Sequence, residues 1–135
     1  MIYALDTNIL SYILNGNSAL DKKLGSVISL GVKVVIPLVA YYETRRGLLV
    51  NNAVNKLCIF DKLCARLNIN SLTKADMNTA ADIYSKRKRT GTMIDDGDLL
   101  IAAQCVTNNY TLITNNEKHF KDIDGLRVEN WLGSL

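Results

Sequence analysis

Thirteen acids occur in this chain of 135 residues, and a few stand where carboxylates do chemistry. Asp6 ends the apolar run Ile2-Tyr3-Ala4-Leu5 and is followed by Thr7-Asn8 and a second apolar run. That pattern reads as a buried strand delivering one carboxylate to a strand-to-helix turn. In open parallel α/β sheets, ligands bind in the crevice beyond the carboxyl ends of the strands. A helix N-cap is the plainer role for the same side chain. Glu43 falls one to two turns into a helix and shares a face with Ala40 and Gly47 at three- and four-residue spacing. It either points into a tight site or is a surface acid paired with Arg46. The segment Ile94-Asp95-Asp96-Gly97-Asp98 opens a helix that is apolar on nearly every side. Capping and the helix dipole account for Asp95 or Asp96. They do not account for Asp98 at the base of a buried helix, where an unpaired carboxylate is costly and a cation is the usual compensation.

Other side chains are placed to support such a site. Thr111-Leu112-Ile113-Thr114-Asn115-Asn116 repeats the pattern of a buried strand ending in small polar residues. Thr114 and Asn116 either hydrogen-bond a water or phosphate there or are plain turn formers. His119 is the only histidine, so no histidine-based metal cluster or catalytic triad can be built; it reads as a loop or packing residue. Lys86-Arg87-Lys88-Arg89 is the densest basic run, and Arg45 and Arg46 follow Glu43. These six are candidates for backbone-phosphate contacts, or, for the run, a solvated helix end whose cations match the dipole.

The elements that must position these residues follow from periodicity and punctuation. Strands are expected at 2–5, 32–36, 67–69, 111–114 and 126–128. Helices are expected from Thr7 or Asn8 to Leu14, then over 18–30, 38–50, 53–66 and 73–89, and from Asp95 or Asp96 to Val106. Strands alternate with helices and no connection looks like a hairpin turn. The expected fold is a three-layer α/β domain around a mainly parallel sheet. Residues 1–135 fit one domain with one core. With 48% apolar and 21% charged residues the composition is that of a soluble globular protein. No run is long enough to cross a bilayer, and no signal-like segment stands at the start. Net charge is +3, compatible with a polyanionic partner. Cys58, Cys64 and Cys105 follow no metal spacing and read as buried free thiols of a reducing cytoplasm.

Several of these stretches together carry a resemblance. They are Leu5-Asp6-Thr7-Asn8-Ile9-Leu10; Tyr42-Glu43 with Gly47-Leu48; Asp98-Leu99-Leu100-Ile101-Ala102-Ala103; Thr114-Asn115-Asn116 with Phe120; and Gly125 to Trp131. In this order, over essentially the whole chain, they resemble the PIN-domain ribonucleases, and most of all the VapC toxins of bacterial toxin–antitoxin pairs. The resemblance implies an α/β/α PIN fold with four to five strands and an endoribonuclease dependent on Mg²⁺ or Mn²⁺. It maps the family's acids onto Asp6, Glu43 and Asp98, with Asp96 matching an additional acid and Asp95 standing where glycine is common. The fourth acidic position falls near Asn116, which carries no charge, so one strongly held metal is the expectation. Asp6 and Asp98 would be the main ligands, directly or through water. Glu43 would hold a metal-bound water or act as general base. The implied partners are a structured RNA substrate such as tRNA or rRNA, a small VapB-like antitoxin, and a second copy in a homodimer; the implied location is cytoplasmic. Two other readings remain: a PIN domain that binds RNA or protein without catalysis, and an RNA-processing PIN nuclease that is not a toxin.

Overall fold

The computed structural model describes residues 1–132. Its centre is a five-stranded sheet in the order β3-β2-β1-β4-β5. The strands are β1 (Ile2–Leu5), β2 (Lys33–Pro37), β3 (Ile69–Asn70), β4 (Thr111–Ile113) and β5 (Arg127–Glu129). Every neighbouring pair is parallel. Parallel strands need long crossovers, supplied here largely by helices, and an all-parallel sheet must be covered on both faces. The strands read accordingly as unbroken apolar runs: Ala4, Leu5, Val34, Val35, Ile36, Leu112 and Ile113 are all buried. The helices are α1 (Thr7–Leu14), α2 (Ser18–Ser29), α3 (Leu38–Val50), α4 (Val54–Leu67), α5 (Lys74–Thr90) and α6 (Asp96–Asn108). The result is the expected three-layer α/β/α arrangement, with the five strands wholly rather than mainly parallel.

Two boundaries shift for local reasons. The first helix is capped by neither Thr7 nor Asn8: Asp6 itself is the N-cap, accepting from the Thr7 N–H. The third strand begins at Ile69 because α4 continues through Leu67, and Asn68 leaves the helix with φ 71°. Elsewhere the punctuation acts as read. Thr73 forms a capping box with Asp76 at the start of α5, and Gly91 ends that helix in the left-handed conformation. α6 is the most enclosed helix, with Leu99 and every residue from Ile101 to Cys105 buried, and it packs against α5 through Ala80, Leu99 and Ala103. Cys64 and Cys105 are buried free thiols, but Cys58 is exposed; it lies on the solvent side of α4, opposite the stripe formed by Phe60, Leu63 and Leu67. Among the described residues no helix is long and apolar enough to cross a membrane.

Candidate active site

β1 and β4 are neighbours that end at the same edge of the sheet, so the residues that follow them meet. The Thr114 hydroxyl donates to Asp6 Oδ2 at 2.7 Å, and the Asn8 side-chain amide donates to the same oxygen at 3.1 Å. The Thr7 N–H donates to Asp6 Oδ1 at 2.8 Å. Asp6 is only 2% exposed and is held in one orientation by these three donors. Burial pushes its carboxyl up to about 6, more than the Thr114 and Thr7 bonds lower it; the charges of Asp98 and Glu43 add to the rise. Three acids far apart in the chain therefore share one electrostatic environment.

Glu43 reaches this edge from the second turn of α3. Its Oε1 accepts the Thr7 hydroxyl proton at 2.7 Å. Its Oε2 lies 3.9 Å from the exposed Arg46 guanidinium, a contact that is weak in water. The tight packing expected around Glu43 exists, but Gly47 does not supply it. A Cβ on Gly97 would stand 2.6 Å from Glu43 Oε2, whereas one on Gly47 would meet nothing within 4 Å. Gly97 belongs to the acid segment that opens α6, and its missing side chain is the room Glu43 occupies. Asp98, one residue on, has a half-buried side chain whose Oδ2 meets His119 Nδ1 at 3.1 Å. His119 is thus neither a plain loop residue nor buried packing: it holds the third acid.

The remaining candidates separate. Asp95 is the N-cap residue of α6 without a side-chain cap bond; it and Asp96 are exposed, and neither is among the charges acting on Asp6. Thr114 is buried at the site, while Asn116 contributes its backbone N–H to the Thr114 hydroxyl at 3.0 Å and its side chain is exposed. Arg46 is the one predicted phosphate-binding cation beside an acid of this group. Arg45 is turned to Asp61 at 2.9 Å. Lys86 pairs with Asp124 at 2.9 Å, and Arg87 donates to the carbonyls of Thr92 and Lys121. Lys86, Arg87 and Arg89 line a cleft of about 570 Å³ that includes none of Asp6, Glu43 and Asp98. Lys88 is exposed on the same end of α5.

Sequence reasoning treated Thr7 and Asn8 as cap residues and missed their work in the site. Thr7 bridges Asp6 and Glu43. Asn8 donates to Asp6 and accepts the Asn115 N–H at 3.1 Å, tying the ends of β1 and β4 together. The signal was their position directly after a strand-end aspartate.

Among the described residues, no three His, Cys, Asp or Glu side chains stand close enough to enclose a metal ion unaided. A hard divalent cation does not require that, because it takes oxygen ligands and keeps several waters when held by one or two carboxylates. The donor set here is all oxygen, and Asp6 is buried with no lysine or arginine paired to it among the described residues. A carboxyl raised chiefly by burial, and further by acidic neighbours, is relieved by a proton or by a cation. The residues fit a water-completed divalent site.

Residues 3–126 match the family model of the PIN domain. The chain belongs to the PIN-domain family. A relative along nearly its full length is ribonuclease VapC2 of Rickettsia felis, 30% identical over 135 residues, covering 97% of this chain and 98% of the relative. Ribonuclease VapC1 of Haemophilus influenzae is 26% identical over 132 residues, with 97% and 98% covered. Among solved structures, VapBC2 of R. felis bound to a DNA fragment from its promoter superposes with a TM-score of 0.87 at 30% identity, covering 97% of this chain and 99% of that one. VapBC-1 of nontypeable H. influenzae gives 0.86 at 25% identity, with 98% and 99% covered. PIN-domain nucleases generally depend on a divalent metal.

Proposed function

We propose that this PIN domain, residues 1–135, is a divalent-metal-dependent endoribonuclease of the VapC class, the toxin of a toxin–antitoxin pair. The observation that carries this reading is the convergence of Asp6, Glu43 and Asp98 at one sheet edge, in a chain that aligns end to end with VapC ribonucleases. The reaction is hydrolysis of an RNA phosphodiester by water. Mg²⁺ or Mn²⁺, when bound, stabilises negative charge on the phosphate and lowers the pKa of water.

The chain's own residues supply the rest. Asp6 is the fixed ligand, buried and oriented by Thr7, Asn8 and Thr114. Asp98 is the second, with its Oδ2 steadied by His119. Glu43 has one oxygen bound to Thr7 and the other facing Gly97, and this second oxygen orients the attacking water or takes its proton. Arg46 lies beside the acids and offsets their repulsion of RNA. The proposed partners are structured RNA such as tRNA or rRNA, a VapB-like antitoxin, and a second copy of the chain, all in the cytoplasm.

The test is cleavage of total RNA by the purified full-length protein freed of antitoxin. Asp6→Asn and Asp98→Asn should each lose more than about a hundredfold, beyond the range for groups that only support a metal ligand. Folded Asp98→Asn protein that cleaves like the parent would overturn the assignment.

A further inference from the structure

A second cleft, of about 220 Å³, runs between α1, α3 and the beginning of α4. Thr7 and Glu43 belong to its wall, so it adjoins the candidate active site. Its walls mix Ser11, Thr44 and Asn51 with Leu14, Leu48 and Ala53, and Lys56 is the one cation among them. Whole drug-sized ligands occupy about 300–1,000 Å³; this cleft suits one flat ring system.

Three features call for a ligand of that kind. Thr44 is 6% exposed, and its hydroxyl has no hydrogen-bond partner among the described residues, a condition rare in folded proteins and costly where it occurs. Among the described residues the Lys56 ammonium is bound only to a neutral acceptor, Asn15 Oδ1 at 2.6 Å, and an anion would make the stronger, charge-assisted partner. Gly47 leaves open space where a Cβ would project, although glycine inside a helix costs stability relative to alanine.

We infer that this cleft is a nucleotide subsite: it receives one base of the RNA chain next to the scissile phosphate, with the Thr44 hydroxyl bonding the base and Lys56 holding the following phosphate. The inference rests on the ribonuclease reading above. The Lys56 ammonium and the unpartnered Thr44 hydroxyl in one mixed wall favour a nucleotide, which brings a phosphate and a base edge together, over the apolar face of an antitoxin helix.

The variants are Gly47→Leu, which fills the cleft from a position with room for a side chain, Thr44→Val, Thr44→Ser and Lys56→Gln. Each is made in the full chain, and the probes are total RNA for cleavage, random-sequence single-stranded RNA for binding, and the cognate antitoxin. Gly47→Leu should keep the parent's melting temperature or exceed it, while KM for RNA rises roughly tenfold or more. Thr44→Val should relax the base preference at one position beside the cut, as read by sequencing the fragments, and Thr44→Ser should keep it. In an Asp98→Asn background, Lys56→Gln should reduce the salt slope of RNA binding by about 0.7, the value for one single-strand phosphate.

Folded Gly47→Leu with unchanged KM and unchanged base preference overturns the subsite and leaves the ribonuclease reading standing. Variants that lose antitoxin binding but keep RNA affinity assign the cleft to the antitoxin and also overturn it. A parent protein that cleaves no RNA overturns both readings.

Discussion

Gly97 and Asp6 show how single residues set the character of the site. Gly97 has no side chain where Glu43 Oε2 lies, and a Cβ there would stand 2.6 Å away. The end of a flexible glutamate yields easily, so Gly97→Ala should leave the melting temperature unchanged or slightly raised. The displaced carboxylate is another matter, since a misplacement of about 1 Å costs on the order of a hundredfold in rate. Steady-state kinetics with a wild-type kcat for Gly97→Ala would show that the position of Glu43 is unimportant. Asp6 has the opposite character, a charge whose burial works against folding. Its carboxyl titrates near 6 in the folded chain against 3.8 for the exposed group. The folded state therefore holds a proton that the unfolded chain has released between those values. The contribution of this group to stability is fully present below about 3.8 and is lost as pH rises through about 6, a difference of roughly 3 kcal/mol. In the presence of a chelator, Asp6→Asn should gain on the parent protein as pH rises from about 5 to about 7.5 in urea unfolding. A stability difference that stays constant over that range would refute the linkage.

The turn that joins β1 to α1 is the element with most to do. Asp6 caps the helix, Thr7 bridges to Glu43, and Asn8 ties β1 to β4. Thr7→Val keeps the branched shape and removes the donor, so cleavage should fall at least about tenfold while the fold persists; unaltered cleavage would dismiss the bridge. The start of α5 offers a contrast. Asp76 is a fully buried acid, but its oxygens accept from the Thr73 N–H at 2.9 Å and the Asn108 amide at 3.0 Å. It closes the capping box and joins α5 to α6, a purely structural use of a carboxylate. Thr73→Ala should cost about 1 kcal/mol of stability with no change in cleavage per folded molecule. An activity loss beyond the folded fraction would contradict that separation.

On the scale of the whole molecule, strand order is what makes a site. With β1 central and β4 beside it, the turn after β1, the helix after β2 and the helix before β4 all reach one edge of the sheet. Their acids repel, so the assembled fold should respond to a divalent cation as one unit. Mg²⁺ or Mn²⁺ at about a hundred times its dissociation constant would add roughly 2.7 kcal/mol. Thermal melts should rise with metal for the parent and far less for Asp98→Asn, and EDTA should stop cleavage. Metal stabilisation equal in both proteins would place the ion elsewhere.

Much of this was legible in the chain alone. Apolar runs of strand length, helical spacing and the Thr73 and Gly91 punctuation implied alternating strands and helices, because those signals act over a few residues. Asp6 and Asp98 stood out because each carboxylate sits beside apolar sequence that must be buried, and Glu43 because it shares a helical face with two tiny residues. Contacts between distant residues were not legible. Nothing local marks Gly97 as the space for Glu43, His119 as the partner of Asp98, or Asp76 as a satisfied buried acid. Nor does charge density show that Arg46 sits beside the acids while Lys86, Arg87 and Arg89 line a different cleft. Strand order and helix packing decide those distances, and they are set by burial summed over the entire core rather than by any one stretch.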